Sequence, residues 1–245
     1  MQSYTGPSYE ASSPRTSNLN SNTITGVEAL ARWHNPDLGH VSPAEFVPIA
    51  EKNGVIHEIG AEMLRQACAL LRELLVSQRP LAVSVNVSVA QLMKHDFIET
   101  VARILKDYAV PPALVTFELT ESQFLADTLH IVAQLHRLRE LGIGVSLDDF
   151  GIGNSSLIQL YDLPLTELKI DQAFIRKDGP AGEALIGGLV ALAHQLNLTV
   201  VTEGIETSQQ FDIIRKLGSD RIQGYLIAHP MSHRDLTSFL ADRSH

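Results

Sequence analysis

Seven short runs of β-branched and apolar residues punctuate this chain, with helix-patterned stretches between them. The runs lie at 23–31, 82–87, 114–119, 143–148, 166–171, 198–203 and 221–227. The helical patterns lie at 58–77, 96–107, 127–141, 183–196, 207–217 and 232–242. In 127–141, Leu129, Val132, Leu135, Leu138 and Leu141 form the i, i+3 stripe of an amphipathic helix. Ser42 ahead of Pro43, with Glu45 behind, marks a further helix start. Strands separated by helices must be parallel and joined by crossovers. Their spacing of roughly 25–35 residues is that of a βα unit. The expected class is therefore α/β, a TIM-like (β/α)₈ barrel, which takes eight strands and about 250 residues. The first strand is expected to be missing or irregular, because SSPRTSN carries no strand signal, and its loss would leave two unpaired sheet edges. A doubly wound open sheet is the competing architecture.

Residues 1–22 are rich in Ser, Thr, Asn, Gly and Pro and read as a flexible polar leader. Residues 23–245 show no composition break and read as one domain. A single cysteine, Cys68, excludes an internal disulfide and fits a reducing, cytoplasmic setting. No apolar run approaches the roughly 18–20 residues of a membrane span, so no direct membrane contact is expected. With 19 Lys+Arg against 28 Asp+Glu the net charge is −9, which argues against DNA as a partner. An anionic substrate remains compatible if metal ions supply positive charge.

The informative polar residues stand at or near strand ends. Glu28 lies in the first run, Asn86 in the second, and Glu118 and Glu121 at the third. Asp148 and Asp149 close the fourth, Lys169 and Asp171 the fifth, Glu203 and Glu206 the sixth, and Gln223 lies in the seventh. In a parallel barrel all strands end on one face, so these groups converge on one rim. A single acid after a strand is usually a helix cap or a solvated loop residue. So many carboxylates on one rim, with one lysine, cannot all stay ionised without further counter-charge. Hard dications take oxygen ligands, which points to Mg²⁺ or Mn²⁺, and adjacent Asp148–Asp149 suits two ions. Gly151-Ile152-Gly153 is a poor phosphate loop, since the two preceding acids repel a pyrophosphate. Carboxylates around Lys169 would raise its pKa and so disfavour a Schiff base.

GVEALARW, with Glu28, Ala29 and Leu30, is followed in order by SPAEFVPIAE, SVNVS, FELTES, LDDFGIGNSSL, LKID, TEGIET and IQGYLIAHPM. In these motifs and their order the chain resembles the EAL-domain cyclic-di-GMP phosphodiesterases of bacteria. The resemblance implies a TIM-like barrel that hydrolyses cyclic-di-GMP to linear pGpG with two Mg²⁺ or Mn²⁺ ions. It implies that Glu28, Asn86, Glu118 and Asp148 hold one ion, and that Asp148, Asp149 and Glu203 hold or orient the second. Lys169 would contact the attacking water or the phosphoryl oxygens, and Glu203 is a ligand or a general base. Glu121 would hold the loop after Asp149, and Arg32 would meet a substrate phosphate. Leu30, Asp171, Glu206 and Gln223 would border the substrate. A homodimer through the 146–156 region and upstream sensor or diguanylate cyclase domains also follow from the resemblance. Two departures stand out: Ile152 and Asn154 where the family loop has other residues, and no YQP-like first strand. They favour the alternative of a catalytically silent cyclic-di-GMP receptor, whereas the complete acidic set favours an enzyme.

Overall fold

The computed structural model describes residues 8–14, 24–79, 81–120, 128–150, 162–176 and 179–242. Its strands are β1 (Ser8–Pro14), β2 (Gly26–Leu30), β3 (Trp33–Asn35), β4 (Gly39–Val41), β5 (Ala82–Asn86), β6 (Val115–Thr120), β7 (Gly144–Phe150), β8 (Glu167–Ile170), β9 (Thr199–Thr202), β10 (Arg221–Gln223) and β11 (Met231–Ser232). The helices are α1 (Pro43–Lys52), α2 (Ile56–Val76), α3 (Val89–Leu92), α4 (Phe97–Asp107), α5 (Thr128–Glu140), α6 (Gln172–Ile175), α7 (Pro180–Gln195), α8 (Ser208–Leu217) and α9 (His233–Asp242).

β2, β5, β6, β7, β8, β9 and β10 pair in that order, every step parallel. β1 then closes the ring, antiparallel to both β2 and β10. The result is a closed eight-stranded barrel with one reversed strand, which excludes the open doubly wound sheet. The first strand is thus irregular, as its sequence implies, but it is not missing. The expected pair of bare edges is corrected: Ser8–Pro14, inside the stretch read as leader, fills the gap. Backbone N–H and C=O groups on β2 and β10 need partners, and a ladder supplies them without an apolar side-chain pattern. β11 adds two further pairs to β1, Ser8↔Ser232 and Tyr9↔Met231.

The helices form because their caps and faces agree. Ser42 and Glu45 make a reciprocal capping box with Pro43 at the first helical position of α1. Thr207 and Gln210 do the same for α8, which ends on Gly218 in the left-handed region. α2 buries Leu64, Ala67, Cys68 and Leu71 against the sheet, so Cys68 is a core residue as its neighbours imply. Each such Leu gives about 1.5–3 kcal/mol on burial. α5 is rotated from its sequence stripe: Ile131, Leu135 and Leu138 are buried, whereas Leu129 is 86% exposed. The parallel strands are buried on both faces, and where their inward side chains turn polar the barrel carries its chemistry.

Candidate metal centre

The period of two along each strand points Glu28, Asn86, Glu118, Lys169 and Gln223 into one end of the barrel. Lys169 is 1% exposed. Its Nζ lies 2.7 Å from Glu203 Oε1, 3.1 Å from Glu118 Oε2, 3.3 Å from Glu28 Oε2 and 3.3 Å from Asp148 Oδ1. Asn86 Nδ2 donates to Glu28 Oε1 at 2.9 Å, and Gln223 Nε2 donates to Glu28 Oε2 at 2.8 Å.

Two consecutive aspartates of a regular strand would face opposite ways. Here the β7–β8 register shifts between Leu147 and Phe150, and Asp149 has φ 55°. That irregularity returns Asp149 to the same rim as Asp148, with the Asp149 N–H donating to Asp148 Oδ1 at 2.9 Å. Two triads result. One oxygen each of Glu28, Glu118 and Asp148 lie within 4.8 Å of one another, as do those of Asp148, Asp149 and Glu203. Asp148 belongs to both. The donors are all hard oxygens, so the set fits a hard divalent cation.

The electrostatics follow from four carboxylates around one ammonium. Burial alone would depress Lys169, but Glu118, Glu203, Glu28 and Asp148 outweigh it and hold the ammonium well above the usual lysine range. For Glu28 burial acts upward, yet Lys169 and the bonds from Gln223 and Asn86 bring its pKa below the ordinary value. Burial, reinforced by Glu28, holds Glu118 well above the carboxylate range despite Lys169. Burial likewise pushes Glu203 up to about 8 against the pull of Lys169. Asp149 is raised by burial and then by Asp148. The cluster is short of positive charge, which is the condition that a dication relieves.

Two cavities open beside the cluster and share Glu28, Leu30 and Asp148 in their walls. The wider, about 790 Å³, adds Arg32 and an apolar wall from α1 and α2 that includes Phe46, Ile56, Ile59 and Met63. The other, about 390 Å³, adds Gln172, Arg176, Glu206 and Tyr225.

Of the residues expected from sequence, Glu28, Asn86, Glu118, Asp148, Asp149, Lys169, Glu203 and Gln223 come together. Leu30, Arg32 and Glu206 line the cavities. Asp171 lines neither; its Oδ1 accepts the Ala173 N–H at 2.6 Å and caps α6. Glu121, Ile152 and Asn154 lie outside the described residues. Sequence reasoning missed the apolar wall, Tyr225 and Arg176, and the buried Glu167, whose signal was its place two residues before Lys169.

The EAL domain profile matches residues 13–230. The cyclic di-GMP phosphodiesterase PA2567 of Pseudomonas aeruginosa is 41% identical over 218 residues, 88% of this chain and 37% of that protein. The oxygen sensor protein DosP of Escherichia coli is 36% identical over 221 residues, 89% of this chain and 28% of that protein. The chain therefore spans well under half the length of these two curated relatives. Among solved structures, the PaMucR phosphodiesterase in complex with c-di-GMP superposes with a TM-score of 0.84 at 34% identity, covering 94% of this chain and 93% of that one. The EAL domain of Mycobacterium smegmatis DcpA superposes with a TM-score of 0.80 at 28% identity, covering 97% and 96%.

Proposed function

This chain belongs to the EAL domain family, and from that premise we propose that it hydrolyses one phosphodiester bond of cyclic-di-GMP to give linear pGpG. The observation that carries the reading is the pair of carboxylate triads joined through Asp148 and opening onto two cavities. Glu28, Glu118 and Asp148, with Asn86 beside them, would hold one Mg²⁺ or Mn²⁺, and Asp148, Asp149 and Glu203 a second. Such ions, when bound, polarise phosphoryl oxygens and acidify water.

The chain's own groups supply the rest. The apolar wall of the wider cavity suits a flat purine, and Arg32 offers a guanidinium to a phosphate. Lys169 keeps its proton and stabilises negative charge developing on the phosphoryl oxygens. Burial pushes Glu203 up to about 8 in the metal-free site, whereas holding an ion would keep it deprotonated, so its part here is that of a ligand. A water oxygen bonds to phosphorus as the P–O3′ bond breaks. The water gives up its proton and the departing 3′-oxygen takes one, leaving a 5′-phosphate.

The test is chromatography of cyclic-di-GMP incubated with the protein and Mn²⁺ or Mg²⁺, with Glu28→Ala as control. Accumulation of pGpG that is lost in the variant and with EDTA supports the reading. Binding without turnover would identify a silent receptor instead, and neither binding nor turnover would overturn both. The same reading includes a cytoplasmic setting, a homodimer through residues 146–156 and a sensor or diguanylate cyclase domain upstream. Analytical ultracentrifugation tests the dimer. No described helix is long and apolar enough to cross a membrane.

A further inference from the structure

A second ionic contact lies beneath the acid cluster, between buried Glu167 and Arg221, whose side chain is 35% exposed. Alternation along β8 puts Glu167 on the same face as Lys169, and alternation along β10 puts Arg221 on the same face as Gln223. Glu167 is buried, and Arg221 Nη1 donates to its Oε2 at 2.9 Å. β8 and β10 are not neighbours; β9 lies between them, so the pair reaches across an intervening strand. A void of about 20 Å³ bordered by Glu28, Glu118, Glu167, Lys169, Arg221 and Gln223 makes the two layers contiguous. It has room for about one water.

β10 is the strand that most needs such a tie. It is three residues long and pairs with β9 only through Arg221 and Ile222. Its other neighbour is the reversed β1. Yet β10 carries Gln223, which donates to Glu28 Oε2 at 2.8 Å, and β8 carries Lys169, whose Nζ meets the same oxygen at 3.3 Å. Two donors from non-adjacent strands converge on one carboxylate oxygen, so their strands must keep a fixed separation. Glu167 and Arg221 each stand two residues before one of those donors.

We infer that Glu167 and Arg221 form a positioning pair that holds β8 and β10 at the separation at which Lys169 and Gln223 both bond to Glu28 Oε2, and so orients Glu28 for its ligand. The pair touches neither substrate nor metal. Its effect on metal affinity rests on the preceding reading; its effect on Glu28 geometry does not.

The experiment is calorimetric Mn²⁺ titration of wild type, Glu167→Gln, Arg221→Met and Arg221→Lys, at a temperature where circular dichroism shows each folded, with kcat and KM measured alongside. Groups that bond a metal ligand directly, as Lys169 and Gln223 bond Glu28, are worth about 10-fold or more in metal affinity, and the pair acts through them. Glu167→Gln and Arg221→Met are expected to weaken Mn²⁺ binding by about that factor and to lower kcat with KM within about twofold. Arg221→Lys, which keeps the ion pair, should recover most of the loss. Unchanged Mn²⁺ affinity and kcat with only a lower Tm would make the pair merely structural and overturn the inference. A wild type that binds no Mn²⁺ would sink the metal reading instead. In that case the metal-free crystal structure of Arg221→Met decides: the contacts of Lys169 and Gln223 with Glu28 Oε2 should lengthen, and unchanged contacts overturn the pair's role.

Discussion

Lys169 Nζ sits 2.7 Å from Glu203 Oε1, closer than to any of the other three carboxylates it touches. Lys169 lies in β8 opposite Val201 of the adjacent β9, and Glu203 stands two residues beyond Val201, just past the end of β9. An ammonium so placed holds together a group of acids that would otherwise repel.

Replacing it should therefore cost both chemistry and fold. Lys169→Met leaves buried carboxylates without their cation; losing one partner of a buried charge pair costs about 3–5 kcal/mol. The loss should be smaller at pH 5, where the acids neutralise themselves by taking protons. Removing a donor aimed at developing charge should lower kcat by about 100-fold or more. Urea unfolding at pH 5 and pH 8 and pGpG formation measure these effects; wild-type turnover by the variant would contradict the role given to Lys169.

The raised carboxylates predict an inverted pH profile for the metal-free protein. Glu203, at about 8, and Glu118, held well above its ordinary value, keep protons when folded that they release near 4.5 when unfolded. Between about pH 5 and 8 the native state binds more protons, so stability falls as pH rises through that window. Glu28 is shifted the other way, and its window lies below 4.5. Thermal melts should give a lower Tm at pH 8 than at pH 5.5 without metal. Saturating Mn²⁺ should reverse the order, because ligation favours the deprotonated carboxylates. A metal-free Tm that climbs from pH 5.5 to pH 8 would refute the assignment.

Asp149→Asn separates binding from turnover. Asn tolerates the left-handed conformation that φ 55° requires, so the bend at the end of β7 should survive. One of the three carboxylates of the triad Asp148, Asp149 and Glu203 is lost. Calorimetry should find one Mn²⁺ per chain instead of two, with cyclic-di-GMP affinity changed less than about threefold and turnover reduced at least about 100-fold. Equal loss of binding and turnover would argue that Asp149 belongs to the substrate.

Gly224 has φ 146°, and a Cβ there would lie 2.4 Å from Ile205 N and 2.5 Å from Ile205 O. Backbone cannot step aside as a side-chain tip can. The contact it protects is the pair of bonds Ile205 N–H to Gln223 O, 3.1 Å, and Leu226 N–H to Ile205 O, 2.9 Å. Gly224→Ala should destabilise the protein by about 2–3 kcal/mol, and it should reduce Mn²⁺ affinity by moving Gln223. Denaturant midpoints and calorimetry measure both, and a neutral substitution would show that this loop has slack.

The seven parallel strands were legible because strands buried on both faces read as apolar runs such as AVSVNV and LVTFEL. The acids at their ends were legible because parallel strands share one exit face. Asp171 caps α6, the usual use of an aspartate between a strand and a helix, and its charge also acts on Asp149. The wall of Phe46, Ile56, Ile59 and Met63 was hidden because side chains that line a cavity have the same composition as those that fill a core. Glu167 was readable by alternation from Lys169, yet a charge beneath a site has no motif of its own. β1 was illegible because SYEASSP pairs through its backbone, with an apolar pattern absent from the sequence.

That hidden strand yields the last prediction. β1 makes five pairs with β2, Ser8↔Leu30 to Ser12↔Gly26, and three with β10, Ser12↔Gln223 to Pro14↔Arg221. Glu28 and Gln223 both lie on the strands it joins. Deleting residues 1–14 would strip the ladder from one side of each and leave two edges that readily pair with other chains. Size-exclusion chromatography should show concentration-dependent association, thermal melts should show a lower Tm, and pGpG formation should fall with them, since Glu28 loses a neighbour on one side. A truncated chain that stays unassociated, melts as wild type does and keeps full turnover would mean that the seven parallel strands hold the metal centre alone.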